Sequence, residues 1–344
     1  MNQSEHLSAE NDSLFQVEDS RNIAGNITFA TIKLIFIPLI IGGNGLVIAS
    51  LLVFRRLRNL TNYLLLSLSA SDLLVAVFTI PLYVAFYLQK GSLTQNRTAC
   101  LTWFGSVILG CGASLYNLLL IVIDRFVAIH FPFHYARLKT PRKVGITLTV
   151  LWIYIVVLSF LPLMGWNNWS RKKKCDFYGT LPKAYVIWAA YFTVGICTLV
   201  STLLYGKIFT TVWQHRKQIH AVTVIVTREN LQMEKEIRTT RLTAIVFLLF
   251  ILCWAPYVCV GPLMYTGLSL QVVEIIKNCT LVLGFGNSLV NPIVFGLART
   301  QFKCAYKLLV TTRVSQWRKL SVHPLDKDHT HGVIACVETC NSQQ

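Results

Sequence analysis

Ile121-Val122-Ile123-Asp124-Arg125-Phe126-Val127-Ala128 is the stretch that decides how this chain reads. An acidic-basic pair sits at the inner end of a long apolar run, just before the basic loop 130–143. Ionised side chains at the edge of a membrane helix are costly and commonly functional. A bilayer-spanning helix needs about 20 mostly apolar residues. Seven windows qualify: 32–53, 62–88, 101–128, 144–165, 184–212, 241–265 and 272–297. The expected fold is an all-α membrane protein, a seven-transmembrane helix bundle with a short amphipathic helix after span seven. Residues 1–30 read as an outer tail and 31–298 as the seven-span domain. Residues 299–313 read as a surface helix, because Phe302, Tyr306 and Leu309 recur at helical spacing between Lys303, Lys307 and Arg313. Residues 314–344 read as a disordered cytoplasmic tail.

Composition agrees with a membrane protein. The 344 residues are 54% hydrophobic and only 14% charged. A soluble domain carries about 25% charged residues. The net charge of +17 could signal nucleic acid, but its distribution argues against that. Arg55, Arg56 and Arg58 follow span one, and Arg142 and Lys143 follow span three. Arg238 and Arg241 precede span six, and Arg299, Lys303 and Lys307 follow span seven. All share one side if the N-terminus is outside, which is the positive-inside pattern. The partner is then anionic inner-leaflet lipid. No signal peptide is legible in residues 1–28, which are polar and acidic. Sequons at Asn2, Asn11, Asn26, Asn96 and Asn168 fall outside and are glycosylation candidates, whereas Asn59-Leu60-Thr61 falls inside and reads as a chance match.

One basic run, Arg171-Lys172-Lys173-Lys174, lies in an outer loop. It reads as a solvated loop, or as a field for an anionic ligand that Lys183 and Lys277 would reinforce. Glu274, one turn before Lys277, could neutralise that lysine. Of ten cysteines, Cys111, Cys197, Cys253 and Cys259 lie in apolar runs and act as small apolar residues. Cys100 and Cys175 fall in outer loops, where an oxidising compartment favours a bridge. That bridge would pin the loop 167–181 to the top of span three. Cys304, Cys336 and Cys340 are acylation candidates or free thiols. No Cys-x-x-Cys or His-rich set suggests a metal site.

Polar residues inside the spans are few: Asn44, Asp72, Ser114, Asn117, Asn287, Ser288 and Asn291. A carboxylate near the bilayer centre costs about 2.5–3.5 kcal/mol on insertion scales. Asp72 must therefore face the bundle and find amides, hydroxyls, water or a sodium ion. A purely structural polar network is the plainer alternative.

In order, one set per span, Asn44, Ser69-Ala70-Ser71-Asp72, Asp124-Arg125-Phe126, Trp152, Cys253-Trp254-Ala255-Pro256 and Asn291-Pro292 resemble the markers of rhodopsin-like (class A) G protein-coupled receptors. The resemblance covers about residues 30–310 and, as a set, is highly specific. It implies a plasma-membrane receptor rather than an enzyme, with a heterotrimeric G protein and arrestin as partners. Arg125 would pair with Asp124 and Glu236 at rest. Its release would let span six swing outward, with Pro256 as kink and Trp254 as ligand sensor. Asp72, Ser114, Asn287 and Asn291 resemble the family's sodium pocket, and Cys100 with Cys175 its outer disulfide. Tyr205 matches the inner tyrosine of span five, although Cys197 stands where that span usually has proline. Phe126 and Phe295 each replace a tyrosine. Phe295 cannot make the water-mediated bridge toward Tyr205 that the family uses in its active state.

Within the family, the adenosine, cannabinoid, lysophospholipid and melanocortin subgroup fits best. The segments Leu161-Pro162-Leu163-Met164-Gly165-Trp166-Asn167 and Cys175-Asp176-Phe177 resemble adenosine receptors most. There, Phe177 would stack on adenine. The pocket departs: Gly261 stands where they have an asparagine, Phe285 where they have histidine and Cys111 where they have threonine. A buried purine edge left unpaired is heavily penalised. An apolar or amphiphilic ligand suits Val107, Ile108, Phe177, Trp254, Tyr257 and Phe285 better. Val107 replaces the aspartate of amine receptors, which argues against an amine. The lack of a lysine deep in span seven argues against retinal. The expected ligand is an extracellular small molecule, nucleoside-like or lipid. A transporter or channel would need discontinuous spans and more intramembrane charge, and a non-coupling, heteromerising receptor has only Phe295 in its favour.

Overall fold

A bilayer offers the backbone no hydrogen-bond partner, so spanning segments close their own bonds as helices. The computed structural model describes residues 3–88, 93, 95–132, 134–135, 140–170, 175, 177–221, 228–263, 267–314 and 317. Asn2, the basic run 171–174, Cys336 and Cys340 lie outside these. Among the described residues, seven helices are long and apolar enough to cross a membrane: Ile27–Val53, Leu60–Phe86, Arg97–His130, Pro141–Phe160, Lys183–Gln214, Glu236–Leu263 and Gln271–Gly296. They are spans one to seven below. A surface helix, Thr300–Thr311, follows span seven, and no strand occurs among the described residues. The helical backbone of span one continues outward to Gln3.

The deviations from regular helix have local causes. Span two carries a π-helical turn at Val75–Thr79, just before Pro81. Proline cannot donate to the helix ladder and its ring crowds the carbonyl one turn back, so the chain widens there. Span five widens at Ile187–Phe192 without any proline, one turn above Cys197. Span four stops at Phe160, short of the expected 165. Pro162 removes a backbone donor, residues 161–165 form a turn, and Gly165 takes φ +130°, a conformation that favours glycine.

A few buried contacts fix the helices relative to one another. Asn44 Nδ2 donates to the Ser288 carbonyl at 2.9 Å, tying span one to span seven. Gly43 permits that approach, since a Cβ there would stand 2.7 Å from Pro292 Cγ. Trp152 Nε1 donates to Ser67 Oγ at 3.0 Å, tying span four to span two. Cys100 and Cys175 are bonded, with Cα atoms 5.9 Å apart, holding the second outer loop to span three.

Candidate functional site

The outer half of the bundle holds a continuous aromatic wall. Trp254 lies at its base because Gly284 leaves room: a Cβ there would stand 3.2 Å from the indole. Phe285 meets Trp254 edge-on at 6.4 Å and Tyr83 at 5.9 Å. Tyr257 meets Trp254 at 6.0 Å. Trp103 carries the wall from Tyr83 to Phe104, and Phe104 meets Phe177 at 5.4 Å. Val107, Ile108 and Cys111 are half-buried on span three. Ile108 packs in the same cluster as Phe177.

The space beside Gly261 is occupied: a Cβ there would collide with the hydroxyls of Tyr178 and Tyr191. These hydroxyls are 3.1 Å apart and hydrogen-bonded. A polar edge therefore has donors and acceptors here, supplied from the outer loop and span five. Gly261→Asn is expected to displace both rings and lower the thermal stability of the purified protein. Tyr191→Phe, which keeps the ring, should leave that stability within about 1 kcal/mol. A thermal-unfolding comparison of the two checks this.

A second feature escaped the sequence reading. Lys33 of span one is fully buried, its Nζ 3.8 Å from the Tyr83 ring centroid and 5.6 Å from that of Phe29. Cation–π contact of this kind is favoured when desolvated. Tyr83 donates to Asn278 of span seven. Lys277 is half-buried and close enough for its charge to act on Lys33. No ion pair joins Lys277 to Glu274 among the described residues. Lys183 is exposed at the outer end of span five.

Below the wall lies a polar core. Asn291 Nδ2 donates to Asp72 Oδ2 at 2.7 Å. Ser114 Oγ lies 3.1 Å from Ser71 Oγ and donates to the Gly110 carbonyl. Asp72 Oδ1, Asn287 Oδ1 and Asn291 Oδ1 are buried with no hydrogen-bond partner among the described residues. Such oxygens need water or a cation, and an all-oxygen set suits a hard cation.

The inner end is closed by a lock around Arg125, which is 2% exposed. Its Nε donates to Asp124 at 3.1 Å, and it forms ion pairs with Asp124 and with Glu236 of span six. It also donates to Thr61 Oγ1 at 2.8 Å and to Tyr135 Oη at 3.0 Å. Tyr135 in turn donates to Asp124 Oδ1 at 3.1 Å. Burial pushes the Tyr135 phenol above its ordinary pKa, and the Asp124 charge adds to that, so it stays a donor. Phe295 is buried at 1% exposure. The Arg299 guanidinium stands over its ring at 5.5 Å, and Arg299 Nη1 donates to Asn62 Oδ1 at 3.0 Å. Burial lowers the Arg299 pKa to about 10, helped by the Arg125 charge, so it remains cationic at neutral pH. Tyr205 lies beside Phe247 at 5.6 Å. Pro256 and Pro292 stand inside their helices.

The family model described as 7 transmembrane receptor (rhodopsin family) matches residues 43–295. The histamine H2 receptor of Canis lupus familiaris is 31% identical over 83% of this chain and 80% of its own length. The adenosine receptor A2a of the same species is 26% identical over 86% of this chain and 75% of its own length. The tyramine receptor Ser-2 of Caenorhabditis elegans is 33% identical over 63% of this chain, which spans only 47% of that protein. The chain belongs to the rhodopsin family of seven-transmembrane receptors.

Proposed function

We propose that this receptor binds an uncharged or amphiphilic extracellular small molecule in the outer aromatic pocket and activates a heterotrimeric G protein by opening span six. The observation that carries the ligand class is the Tyr178–Tyr191 hydroxyl pair against Gly261. It offers a polar edge inside an otherwise aromatic pocket. That edge revives the adenosine-receptor-like reading, in which Phe177 stacks on a flat base while the tyrosines pair with its rim. Relatives named for histamine and tyramine do not argue for an amine here, because Val107 offers no carboxylate to an ammonium group. A second reading, an acidic lipid, rests on Lys33 and Lys277 at the outer end.

On this reading Asp72, Ser114, Asn287 and Asn291 would hold a sodium ion, the unpartnered oxygens of Asp72, Asn287 and Asn291 being the reason. The ion would supply the positive charge that balances Asp72. The protein sits in the plasma membrane with its N-terminus outside and its inner face open to arrestin as well as G protein. Asn96 and Asn168 are exposed, as glycosylation requires, and Asn11 and Asn26 remain candidates.

The test is ligand-stimulated G protein activation in cells stripped of their own adenosine receptors. Adenosine is compared there with lysophospholipids and fatty amides. The expected result is a saturable adenosine response that Phe177→Ala lowers about two- to tenfold in potency, an aromatic stack being worth about 0.5–1.5 kcal/mol. A response only to acidic lipids, lost in Lys33→Gln, would transfer the assignment to the second reading. Phe295→Tyr is expected to raise maximal activation under either ligand. Tyr205 Oη is buried with no hydrogen-bond partner among the described residues, and a tyrosine at 295 restores the family's bridge.

A further inference from the structure

Outside the ligand pocket, the structure contains a groove of about 450 Å³ facing the lipid between span one, span seven and the surface helix. Leu39 and Gly43 form one side, Pro292, Ile293 and Gly296 the other, and Lys303 and Tyr306 the inner end. Its size lies within the range of about 300–1,000 Å³ typical of small-molecule sites. Two of its lining residues are glycines that let neighbouring groups pack closely: Gly43 lies against Pro292, and Gly296 lies against the Tyr306 ring, where a Cβ would stand 2.5 Å from Cε2. Leu39 and Ile293 at the rim are more than half exposed, so the groove is open along the membrane.

We propose that this groove binds one acyl chain of an anionic phospholipid of the cytoplasmic leaflet, with the lipid phosphate on Lys303. The walls are apolar and set for a chain. The single charged lining group lies at the inner end, level with the headgroups. Lys307, one turn further along the surface helix, is exposed beside it. Both lysines lie on the side that the positive-inside pattern assigns to the anionic leaflet. A bound lipid would brace Pro292 and Gly296, where span seven hands over to the surface helix, within one turn of Arg299. It would couple inner-leaflet composition to the stability of the arginine lock, whatever the outer ligand proves to be.

Native mass spectrometry of the full-length receptor tests this, after extraction from bilayers of phosphatidylcholine mixed with phosphatidylserine or with cholesterol. The wild type should keep one phosphatidylserine through dilution in detergent. Lys303→Glu should lower that retained fraction at least about fivefold, the worth of one lysine at an anionic surface (about 1 kcal/mol). Leu39→Trp, which fills the groove from its exposed rim and leaves Gly43 and Gly296 alone, should lower it as much. Lys143→Glu, an exposed inner lysine on span four, should leave it unchanged. Equal retention of phosphatidylcholine and phosphatidylserine would overturn the proposal. So would indifference to Leu39→Trp, or displacement of the phospholipid by cholesterol.

Discussion

Arg125→Ala is expected to abolish G protein activation and to destabilise the resting receptor at the same time. Arg125 and Asp124 are 2% and 9% exposed. Removing one partner of a buried ion pair leaves an uncompensated charge and costs about 3–5 kcal/mol. Low surface expression of the single variant would then obscure the loss of activation. The double variant Asp124→Asn, Arg125→Ala separates the two effects. It removes the stranded carboxylate, so surface expression should recover while activation stays absent. Activation at wild-type level in the double variant would show that Arg125 is a structural residue only. Glu236→Gln should act in the opposite direction. Glu236 is 35% exposed, so its pair with Arg125 is worth only about 1 kcal/mol. Losing it should raise ligand-independent activation about fivefold, measured as basal nucleotide exchange on purified G protein.

Cys175→Ser should have an effect of comparable size at the other end of the molecule. The Cys100–Cys175 bond closes a loop with a sequence separation of 75. Chain-entropy arithmetic gives about 4.5 kcal/mol for a loop of that length. The bilayer already confines the unfolded chain, which makes that figure an upper bound. The bond also holds the segment bearing Phe177 and Tyr178 against the pocket. The variant should therefore lose both thermal stability and ligand response, and Cys100→Ser should match it. A double variant no worse than either single one would complete the test.

The spans are legible because apolar runs of bilayer length are rare outside membranes, and charge inside such a run stands out. That is why Asp72, Asp124 and Arg125 can be picked from sequence, whereas Glu236 lies before the run 241–265 and is found only through the family resemblance. Thr61 and Tyr135 cannot be picked, although both bind Arg125, because a threonine at the start of span two or a tyrosine just after span three carries no distinguishing pattern. Tyr178 and Tyr191 are hidden for another reason. One lies on a short helical turn of the second outer loop and one on the widened turn of span five, so no shared helical spacing brings them together beside Gly261. The end of span four is a misreading with a visible cause, since Pro162 follows Phe160 closely and hydropathy does not register it. Lys33 had a signal that is easy to pass over: it is the only charged residue in the run 32–53.

That lysine also bears on how the chain is made. A ribosome delivers span one first, and the insertion machinery meets Lys33 with no other helix beside it. A lysine well inside the hydrocarbon costs about 2.5–3.5 kcal/mol, and one near a helix end can reach back to the interface. Lys33 lies close to the outer end of span one, so the newborn helix can insert with its amine in the headgroups. Full burial must wait for the Tyr83 ring of span two. The inner attachments of the same helix, Asn44 to the Ser288 carbonyl and Gly43 to Pro292, wait for span seven. The first helix to enter the membrane is therefore among the last to settle. A nascent chain interrupted before residue 267 would display an Asn44 without its Ser288 partner, which gives the cell's quality control a means of distinguishing unfinished copies from finished ones.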